Sequence, residues 1–562
     1  MALTLKTPGV YVEEISTLPA SVAAVATGIP AFIGYTEKGP TNTPVRIVSL
    51  LEYEASFGGP AHEVFSVSVT GYPTTAPVVT FANPSKFNMH YQLQMYFGNG
   101  GGPCWIVSIG DYSTSNPFSS PTPFTTGITS AEQADEITLL VVPEAINLTS
   151  ASDRKAVNDF ALADCAKMQD RFAIIDAPTT TNINTDATNF RNEVGVNNLK
   201  YGAVYYPSLK TVLNRFYLDQ EVAITGSATY VSPANNNLYS ILTGVATFRT
   251  LQVDNIPLDG NAFVLAGTTF TGRSGALLSN SDFKIGTGVN DTAKNIAQVI
   301  NSNPTISASF YATVATDTVT VVSRTGGNAT FTMTTSVPSV YDISTATLGT
   351  NNSQNTALYN DIKALLDDYL LTLYPGATMA GIYASVDNTR GVWKAPANVS
   401  VSLVDVPSIQ ITNESQENLN VDVTGKSINA IRSFNGRGVI VWGARTLDGN
   451  SNEWRYVNVR RLFIMAEESC KKASEFVVFE PNDKNTWSRV KGMISNFLTS
   501  LWRDGALAGD KPEQAFFVKV GLNETMTAQD ILEGRLIVEI GMAAVRPAEF
   551  IVLRFSHKLQ EA

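Results

Sequence analysis

Two short stretches of this sequence have the residue types of a phosphate-binding loop. The stretch "TGKS" (424–427) ends like a Walker A loop, in which backbone N–H groups and a lysine surround the phosphates. That motif needs an earlier glycine where Asn420 stands and an apolar strand before the loop, whereas Lys426 lies in a polar segment. The stretch "GNGGGP" (98–103) precedes a predicted strand, and Pro103 stands where a helix N-terminus would donate N–H groups. We therefore predict a turn at 98–103 and no nucleotide site at either stretch.

Other residues that could carry chemistry are scattered along the chain. The sequence has no G-x-S-x-G motif for a nucleophilic serine, and its three histidines lack metal-ligand spacing: His62, His90 and His557. The odd count and wide spacing of the cysteines give neither a disulfide framework nor a zinc signature: Cys104, Cys165 and Cys470. We expect no metal, no cofactor and no enzymatic activity.

The composition narrows the class of protein. The chain has 562 residues, which is enough for several domains, and a net charge of −11, which opposes general binding to nucleic acid. No apolar run reaches the length that spans a bilayer, and the N-terminal residues lack the pattern of a secretory signal. We expect a soluble protein that is made and assembled in the cytoplasm, with no direct membrane insertion.

Charged residues of the last third cluster on predicted helices. Glu467 and Glu468 stand four residues before Lys471 and Lys472, the spacing of ordinary ion pairs on a helix surface. Basic residues are concentrated in the same region of this acidic chain: Arg460, Arg461, Lys471, Lys472, Lys484, Arg489 and Lys491. Two interpretations stay open, a docking surface for an acidic partner and solvated helix faces that pair with acids of the same chain.

Both ends of the chain have the alternating pattern of strands. The final stretch "AEFIVLRFSHKLQEA" (548–562) alternates between two faces, and "TPGVYVEEIS" (7–16) has an extended character after a Pro-Gly turn. A strand at the end of a chain needs a partner, either inside its own subunit or outside it.

The elements between these ends predict an α+β multidomain fold. We predict an N-terminal strand arm and linker at 1–28, and a mixed α/β domain at 29–214 to which 353–375 returns. Residues 215–352 are rich in Thr, Ser, Asn and Gly and poor in charge, which predicts an inserted β-rich outer domain. Residues 376–562 form the last predicted domain, a mixed α/β unit that carries the terminal strand arm.

Several stretches in order along the chain resemble contractile tail-sheath proteins of phages and contractile injection systems. The opening "TPGVYVEEIS" with "VATGIPAFIGYTEKGP" (7–40) is similar to the opening of that family. Further similar stretches follow in the family's order: "AGIYASVDNTRGVWKAPANVSV" (380–401), "FNGRGVIVWGARTL" with "WRYVNVRRLFIMAEES" (434–469), "FVVFEPNDKNTWSRV" (476–490), "GALAG" (505–509) and "GMAAVRPAEFIVLRF" (541–555).

The resemblance implies a structural subunit that polymerises around an inner tube and contracts to drive the tube through a target envelope. It implies that the terminal arms leave their own subunit and add strands to sheets of neighbouring subunits, through these residues: Val10, Tyr11, Val12, Phe550, Ile551, Val552, Leu553 and Phe555.

It also implies several partners. These are further copies of the chain, paralogous sheath subunits, an inner tube protein, and baseplate and terminal cap proteins. The seven basic residues named above are candidates for facing the tube, and the final particle would be a virion, an extracellular particle or a cell-anchored device. The alternative function is a surface-binding or carbohydrate-binding structural protein that does not contract.

Overall fold

A computed structural model describes residues 22–226, 236–243, 246–326, 330–347, 356–552 and 554. Its largest element is an eight-stranded sheet, which we call the central sheet. Six neighbouring strands run parallel, and one antiparallel strand closes each edge. In spatial order the strands are Val45–Ile47, Cys104–Asp111, Pro30–Thr36, Leu139–Val141, Phe172–Asp176, Gly202–Tyr206, Asn429–Phe434 and Gly438–Val441.

The apolar runs of the sequence explain this sheet. Strands such as Pro30–Thr36 are buried along their whole length, because helices cover a sheet built of parallel strands and leave no solvent-facing side. The helices of this layer are Leu50–Phe57, Met89–Gly98, Thr122–Ala131, Ala151–Met168, Ile183–Asn192, Gly376–Arg390 and Asn413–Asn420, with short 3-10 turns at Ala145–Asn147 and Leu199–Tyr201.

One hydrophobic core runs through this whole layer. It joins residues of the first part of the chain, such as Phe32, to residues after 376, such as Tyr383 and Ile431. The domain limit predicted at 375/376 therefore falls inside a continuous core. The reason is that helix Gly376–Arg390 packs against helix Met89–Gly98 and the central sheet, which are its neighbours in space and not in sequence.

Two smaller sheets extend this layer. Strands Ser66–Ser68, Val78–Thr80 and Ala223–Thr225 pack with helices Leu238–Thr243 and Thr356–Asp367 around a separate core. The other sheet consists of Leu209–Asn214, Leu370–Leu373 and Val404–Pro407. The segment 353–375 was predicted to return to the first domain, and its described residues pack in these two places.

The β-rich insertion is a unit with a core of its own, which we call the inserted unit. Its ends meet, because Phe248 and Thr347 exchange backbone hydrogen bonds of 3.0 and 2.9 Å. Its two four-stranded sheets enclose one helix, Val289–Ser302. The strands are Ala246–Val253, Phe310–Ala315, Thr318–Gly326 and Tyr341–Ile343 in one sheet, and Ala262–Leu265, Thr268–Arg273, Asp282–Lys284 and Met333–Thr335 in the other. The prediction began this unit at 215, but strand Ala223–Thr225 pairs with Ser66–Ser68 instead.

The C-terminal unit packs helices against a two-stranded hairpin. Its helices are Val457–Ser474, Lys484–Arg503, Pro512–Ala515 and Ala528–Leu532, with a 3-10 turn at Glu475–Val477. Strands Phe516–Lys519 and Glu539–Met542 pair antiparallel, and we call them the C-terminal hairpin. Among the described helices, none combines the length and the apolar character that crossing a membrane requires.

Candidate assembly surfaces

The lysine of the "TGKS" stretch is buried and already bonded. Lys426 Nζ donates to the carbonyl oxygens of Arg191 and Val194 at 2.6 and 2.5 Å. Burial lowers the pKa of Lys426. This lysine joins two segments of the chain and is not presented to a phosphate. The described residues likewise contain no group of three or more His, Cys, Asp or Glu that could hold a metal ion.

The buried carboxylate of Glu144 links the start of helix Met89–Gly98 to strand Pro30–Thr36 of the central sheet. Glu144 Oε1 accepts from the backbone N–H of Asn88 at 2.6 Å and of Met89 at 3.1 Å, and its Oε2 accepts from the N–H of Tyr35 at 2.7 Å. Burial raises the pKa of Glu144 to about 7, although these three N–H groups act to lower it. Gly34 lies close beside it, because a Cβ there would be 2.7 Å from Glu144 Oε2, and the carboxylate would have to move.

A second buried carboxylate repeats this arrangement. Asp176 Oδ1 accepts from the N–H of Gly376 at 2.7 Å, at the start of helix Gly376–Arg390. Burial raises the pKa of Asp176 to about 7, and the N–H of Gly376 acts to lower it. Both carboxylates satisfy backbone groups inside the subunit, so this region is completed by its own chain.

The C-terminal hairpin is much less complete. Among the described residues it has no third strand, and Phe517 and Ile540 keep 44% and 36% of their surface exposed. Beside it lies an open, mainly apolar groove of about 1030 Å³. The groove is lined by the helices of the C-terminal unit, by Val477, Val478 and Phe479, and by strand residues including Ile540 and Met542. Phe479 is fully exposed on its rim.

From Ala548 onward, every described residue of the C-terminal arm is exposed. Phe550, Ile551 and Val552 are 72%, 78% and 77% exposed. Three consecutive apolar side chains at that exposure form an unusual patch on a protein surface. Leu553 and Phe555 lie outside the described residues, as do Val10, Tyr11 and Val12 of the N-terminal arm, so their predicted role in strand exchange stays a prediction.

The root of the N-terminal arm packs on the C-terminal unit. Val22 is 8% exposed and belongs to the same core as the helices of that unit. The backbone N–H of Val25 donates to Ser469 Oγ at 3.0 Å. Gly28 approaches helix Gly376–Arg390 so closely that a Cβ would lie 2.8 Å from the Cα of Ala384.

A buried ion pair holds this root. Arg461 donates to both oxygens of Asp387 at 3.0 and 2.5 Å, and the two side chains are only 4% and 5% exposed. Thr27 joins the pair, since its Oγ1 donates to Asp387 Oδ2 at 2.6 Å and its carbonyl accepts from Arg461 Nη2 at 2.8 Å. The guanidinium of Arg461 therefore binds groups of its own chain.

Its neighbour Arg460 is also internal. Arg460 Nη2 donates to Glu467 Oε2 at 2.7 Å, and its guanidinium lies over the rings of Tyr201 and Trp454. The prediction that Arg460 and Arg461 face a tube does not hold for these two, because both are buried, at 2% and 4% exposure. The start of helix Val457–Ser474 lies between the central core and the C-terminal unit.

The other five predicted basic residues are exposed. Lys471 and Lys472 both form ion pairs with Glu468, at 3.1 and 3.4 Å. The spacing also suggested a pair between Glu467 and Lys471, but Glu467 pairs with Arg460 instead. Lys484, Arg489 and Lys491 lie on the next helix, where Arg489 covers the ring of Phe476 and Lys491 lies 3.8 Å from Glu524.

Comparisons with known sequences and solved structures relate this chain to tail-sheath proteins. Residues 450–558 match the family described as the phage tail sheath C-terminal domain. The tail sheath protein of Vibrio phage KVP40 is 23% identical over 181 residues, which are 32% of this chain and 25% of that protein. The chain therefore aligns with about a quarter of the length of this curated relative.

Two solved structures match almost the whole chain. The helical sheath of the anti-feeding prophage in its contracted state has 26% identity and a TM-score of 0.54, over 99% of this chain and 100% of that chain. The contracted PVC sheath complex of an extracellular contractile injection system has 26% identity and a TM-score of 0.53, over 99% of both chains. These findings confirm the predicted resemblance to contractile tail-sheath proteins and the α+β multidomain fold.

Proposed function

We propose that this chain is a structural subunit of a contractile sheath, which polymerises around an inner tube and contracts to drive the tube through a target envelope. The observation that carries the proposal is the likeness, over 99% of the chain, to two sheaths in their contracted state. That likeness favours a sheath over the surface-binding or carbohydrate-binding alternative. The chain has no enzymatic role in this proposal.

Subunits would be joined by strand exchange at the C-terminal hairpin. An incoming strand pairs its backbone N–H and C=O groups with a strand edge, and its apolar side chains need a place to pack. The hairpin has two strands, and the apolar groove lies directly beside it. In this proposal the occupants come from neighbouring copies: Val10, Tyr11 and Val12 of one arm, and Phe550, Ile551, Val552, Leu553 and Phe555 of the other.

Contraction would be a rigid-body rearrangement of subunits that stay linked by these strands. The energy would come from surface buried between subunits in the contracted lattice, because the proposal contains no nucleotide step. A small gain per subunit is sufficient, since it is multiplied by the number of copies in the tube. The folded units described above need not change internally.

The exposed basic residues of the C-terminal unit would face acidic patches on the inner tube: Lys471, Lys472, Lys484, Arg489 and Lys491. Exposed ion pairs contribute roughly 0–1 kcal/mol each and are screened by salt, which suits a contact that has to be released on contraction. Pairing of Lys471 and Lys472 with Glu468 supports the competing interpretation, a solvated helix face.

Charge reversal distinguishes these two interpretations. The double variants Lys471→Glu with Lys472→Glu, and Arg489→Glu with Lys491→Glu, should each lower the fraction of sheath assembled around tube. If neither variant nor added salt lowers that fraction, these residues do not contact the tube.

The remaining partners follow from the same proposal. They are further copies of the chain, paralogous sheath subunits, a baseplate and a terminal cap. Assembly would take place in the cytoplasm, and the finished particle would be a virion, an extracellular particle or a cell-anchored device.

Electron microscopy of the purified full chain tests the proposal directly. We expect long hollow cylinders. Deletion of residues 1–15, or of 550–562, should leave a folded subunit that no longer polymerises. The second deletion begins after Glu549, so that the contacts of this residue are kept. A full chain that stays monomeric at high concentration would exclude the sheath function, and truncated chains that still form cylinders would exclude strand exchange.

A further inference from the structure

Among the described residues of the C-terminal arm, Glu549 is the last one with a hydrogen bond or an ion pair to its own subunit. Its carboxylate accepts hydrogen bonds from the Arg445 guanidinium. Arg445 Nη2 donates to Oε2 at 2.6 Å, and Arg445 Nε donates to Oε1 at 2.9 Å and to Oε2 at 3.2 Å. Asn420 Nδ2 donates to Oε1 at 2.9 Å, and the Tyr456 hydroxyl donates to Oε2 at 3.1 Å. Burial raises the pKa of Glu549, but Arg445 and Asn420 outweigh it, and the pKa is lowered.

The partner of Glu549 is itself rigidly held. The Arg445 side chain is only 4% exposed, and its Nη1 donates to the Asn420 carbonyl at 3.1 Å. The backbone N–H and C=O of Arg445 both bond the side chain of Asn429, each at 2.7 Å. Asn429 is buried and begins a strand of the central sheet. The Arg445 guanidinium, which binds Glu549 of the arm, is thus held in place by the central sheet.

The side chain of Glu549 is held against the subunit although Glu549 as a whole residue is exposed. This side chain is only 22% exposed, and the residues that follow, Phe550, Ile551 and Val552, are 72%, 78% and 77% exposed. The chain reaches Glu549 from the C-terminal hairpin, which ends at Met542. Between these two residues the backbone leaves the C-terminal unit, passes the buried Asn458, whose Nδ2 donates to the carbonyl of Val545 at 3.2 Å, and meets the edge of the central sheet.

We infer that Arg445 and Glu549, supported by Asn420 and Tyr456, form an anchor that fixes the point and direction from which the C-terminal arm leaves the subunit. The inference rests on the proposed function, because it concerns an arm that pairs with a neighbouring copy. Glu549 and Arg445 act as positioning residues, and the contact with the neighbour is made by the apolar residues that follow.

The physical reason is preorganisation. An arm with a fixed root presents its apolar residues in a small volume, so less conformational entropy is lost when they pair with a neighbour. Without the anchor, at least one more backbone residue has to be ordered during assembly. We expect the concentration needed for assembly to rise by about tenfold, the order that corresponds to ordering one additional residue.

The variant Glu549→Gln tests the anchor, because it keeps the size of the side chain and removes its charge. Its matched control is Glu136→Gln, which removes an exposed ion pair with Arg46 and concerns no residue of the anchor. A second variant, Asn420→Ala, weakens the anchor but leaves Arg445 paired, so the inference stays testable if Glu549→Gln does not fold.

Two quantities are measured for each variant of the full chain. The first is the lowest protein concentration at which cylinders form. The second is the mobility of a nitroxide label on Val552→Cys in unassembled protein, where labelling is selective because the three natural cysteines are buried. The thermal unfolding midpoint is recorded alongside them, because a merely structural ion pair would change the midpoint and leave the label unaffected.

We expect Glu549→Gln to increase label mobility and to raise the assembly concentration about tenfold, with Asn420→Ala in between and the control unchanged. Unchanged mobility and unchanged assembly concentration in Glu549→Gln would overturn the inference. If unmodified protein forms no cylinders, the sheath proposal fails, and label mobility in unassembled protein still shows whether the anchor exists.

Discussion

The central sheet and the C-terminal hairpin have opposite characters. In the central sheet an antiparallel strand closes each edge, helices cover the faces, and buried carboxylates bond the helix starts. The hairpin has two strands of four residues, exposed apolar side chains and an open groove beside it. A two-stranded hairpin is marginal by itself and depends on further strands or on packing against helices, as it does here. The comparison separates a region that its own chain covers completely from a region that keeps apolar surface and an open groove exposed.

The largest effect on folding is expected from Glu144→Ala in the central region. The change leaves three backbone N–H groups without their acceptor, and each unsatisfied buried donor costs about 1–3 kcal/mol. We expect a loss of at least ~3 kcal/mol of unfolding free energy and little soluble protein. Urea unfolding of the unassembled chain measures this, with the exposed Glu136→Gln as the control. A loss below 1 kcal/mol, the low end for a single donor, would mean that water replaces the carboxylate.

The next largest effect concerns the glycine beside that carboxylate. In Gly34→Ala the new Cβ would lie 2.6 Å from Met89 Cε and 2.7 Å from Glu144 Oε2. Overpacking of this kind costs about 1–3 kcal/mol. The control is Gly102→Ala, where a Cβ would meet nothing within 4 Å. Equal stability of the two variants would show that the central sheet is less tightly closed than its geometry indicates.

The pH dependence of stability should reveal the second buried carboxylate. The folded-state pKa of Asp176 is about 7, above the ordinary value of about 4, so the folded state binds a proton between these values. Stability then falls as the pH rises through this window, by up to about 1.4 kcal/mol per pH unit. In Asp176→Asn this contribution is absent, so the dependence should be shallower. Parallel curves for the two proteins between pH 5 and 7, the upper part of that window, would show that Asp176 is ionised throughout.

The smallest effect on folding, with a clear effect on assembly, is expected at the groove. Phe479 is fully exposed, so Phe479→Ser should change the unfolding free energy by no more than about 0.5 kcal/mol. The same change removes apolar surface from the rim of the groove and should hinder cylinder formation in electron micrographs. The matched control is Val196→Ser, at an exposed residue of the other region. If the control hinders assembly as strongly as Phe479→Ser, the groove has no special role.

The sequence predicts individual helices and strands better than it predicts which of them pack together in one hydrophobic core. Continuous apolar runs are local patterns, and the strand predicted directly after the stretch 98–103 is present as Cys104–Asp111. The packing of helix Gly376–Arg390 on the central sheet depends on contacts between residues far apart in the chain, for example between Gly376 and Asp176, which are 200 residues apart. No local pattern carries that information.

The exposure of the predicted tube-facing residues also depends on contacts between distant segments of the chain. Two adjacent arginines in a helix suggest an exposed basic cluster, because charged side chains are rarely buried unless they are paired. Arg460 and Arg461 are buried because acidic and aromatic partners surround them, and those partners, such as Asp387, come from other segments. Glu549 was missed as an anchor, although an isolated acid before the apolar run "FIVLRF" was a visible signal.

The segment before the central sheet has a mechanical consequence. Strand Pro30–Thr36 directly follows the root of the N-terminal arm and lies between two parallel neighbours in the interior of the sheet. A pull on that arm acts along the strand axis, so the hydrogen bonds to both neighbours are loaded in shear and resist together. Before the strand is loaded, the tension passes through Thr27 to the Arg461–Asp387 pair. A lattice pulled through such arms would transmit force into the strongest direction of each subunit.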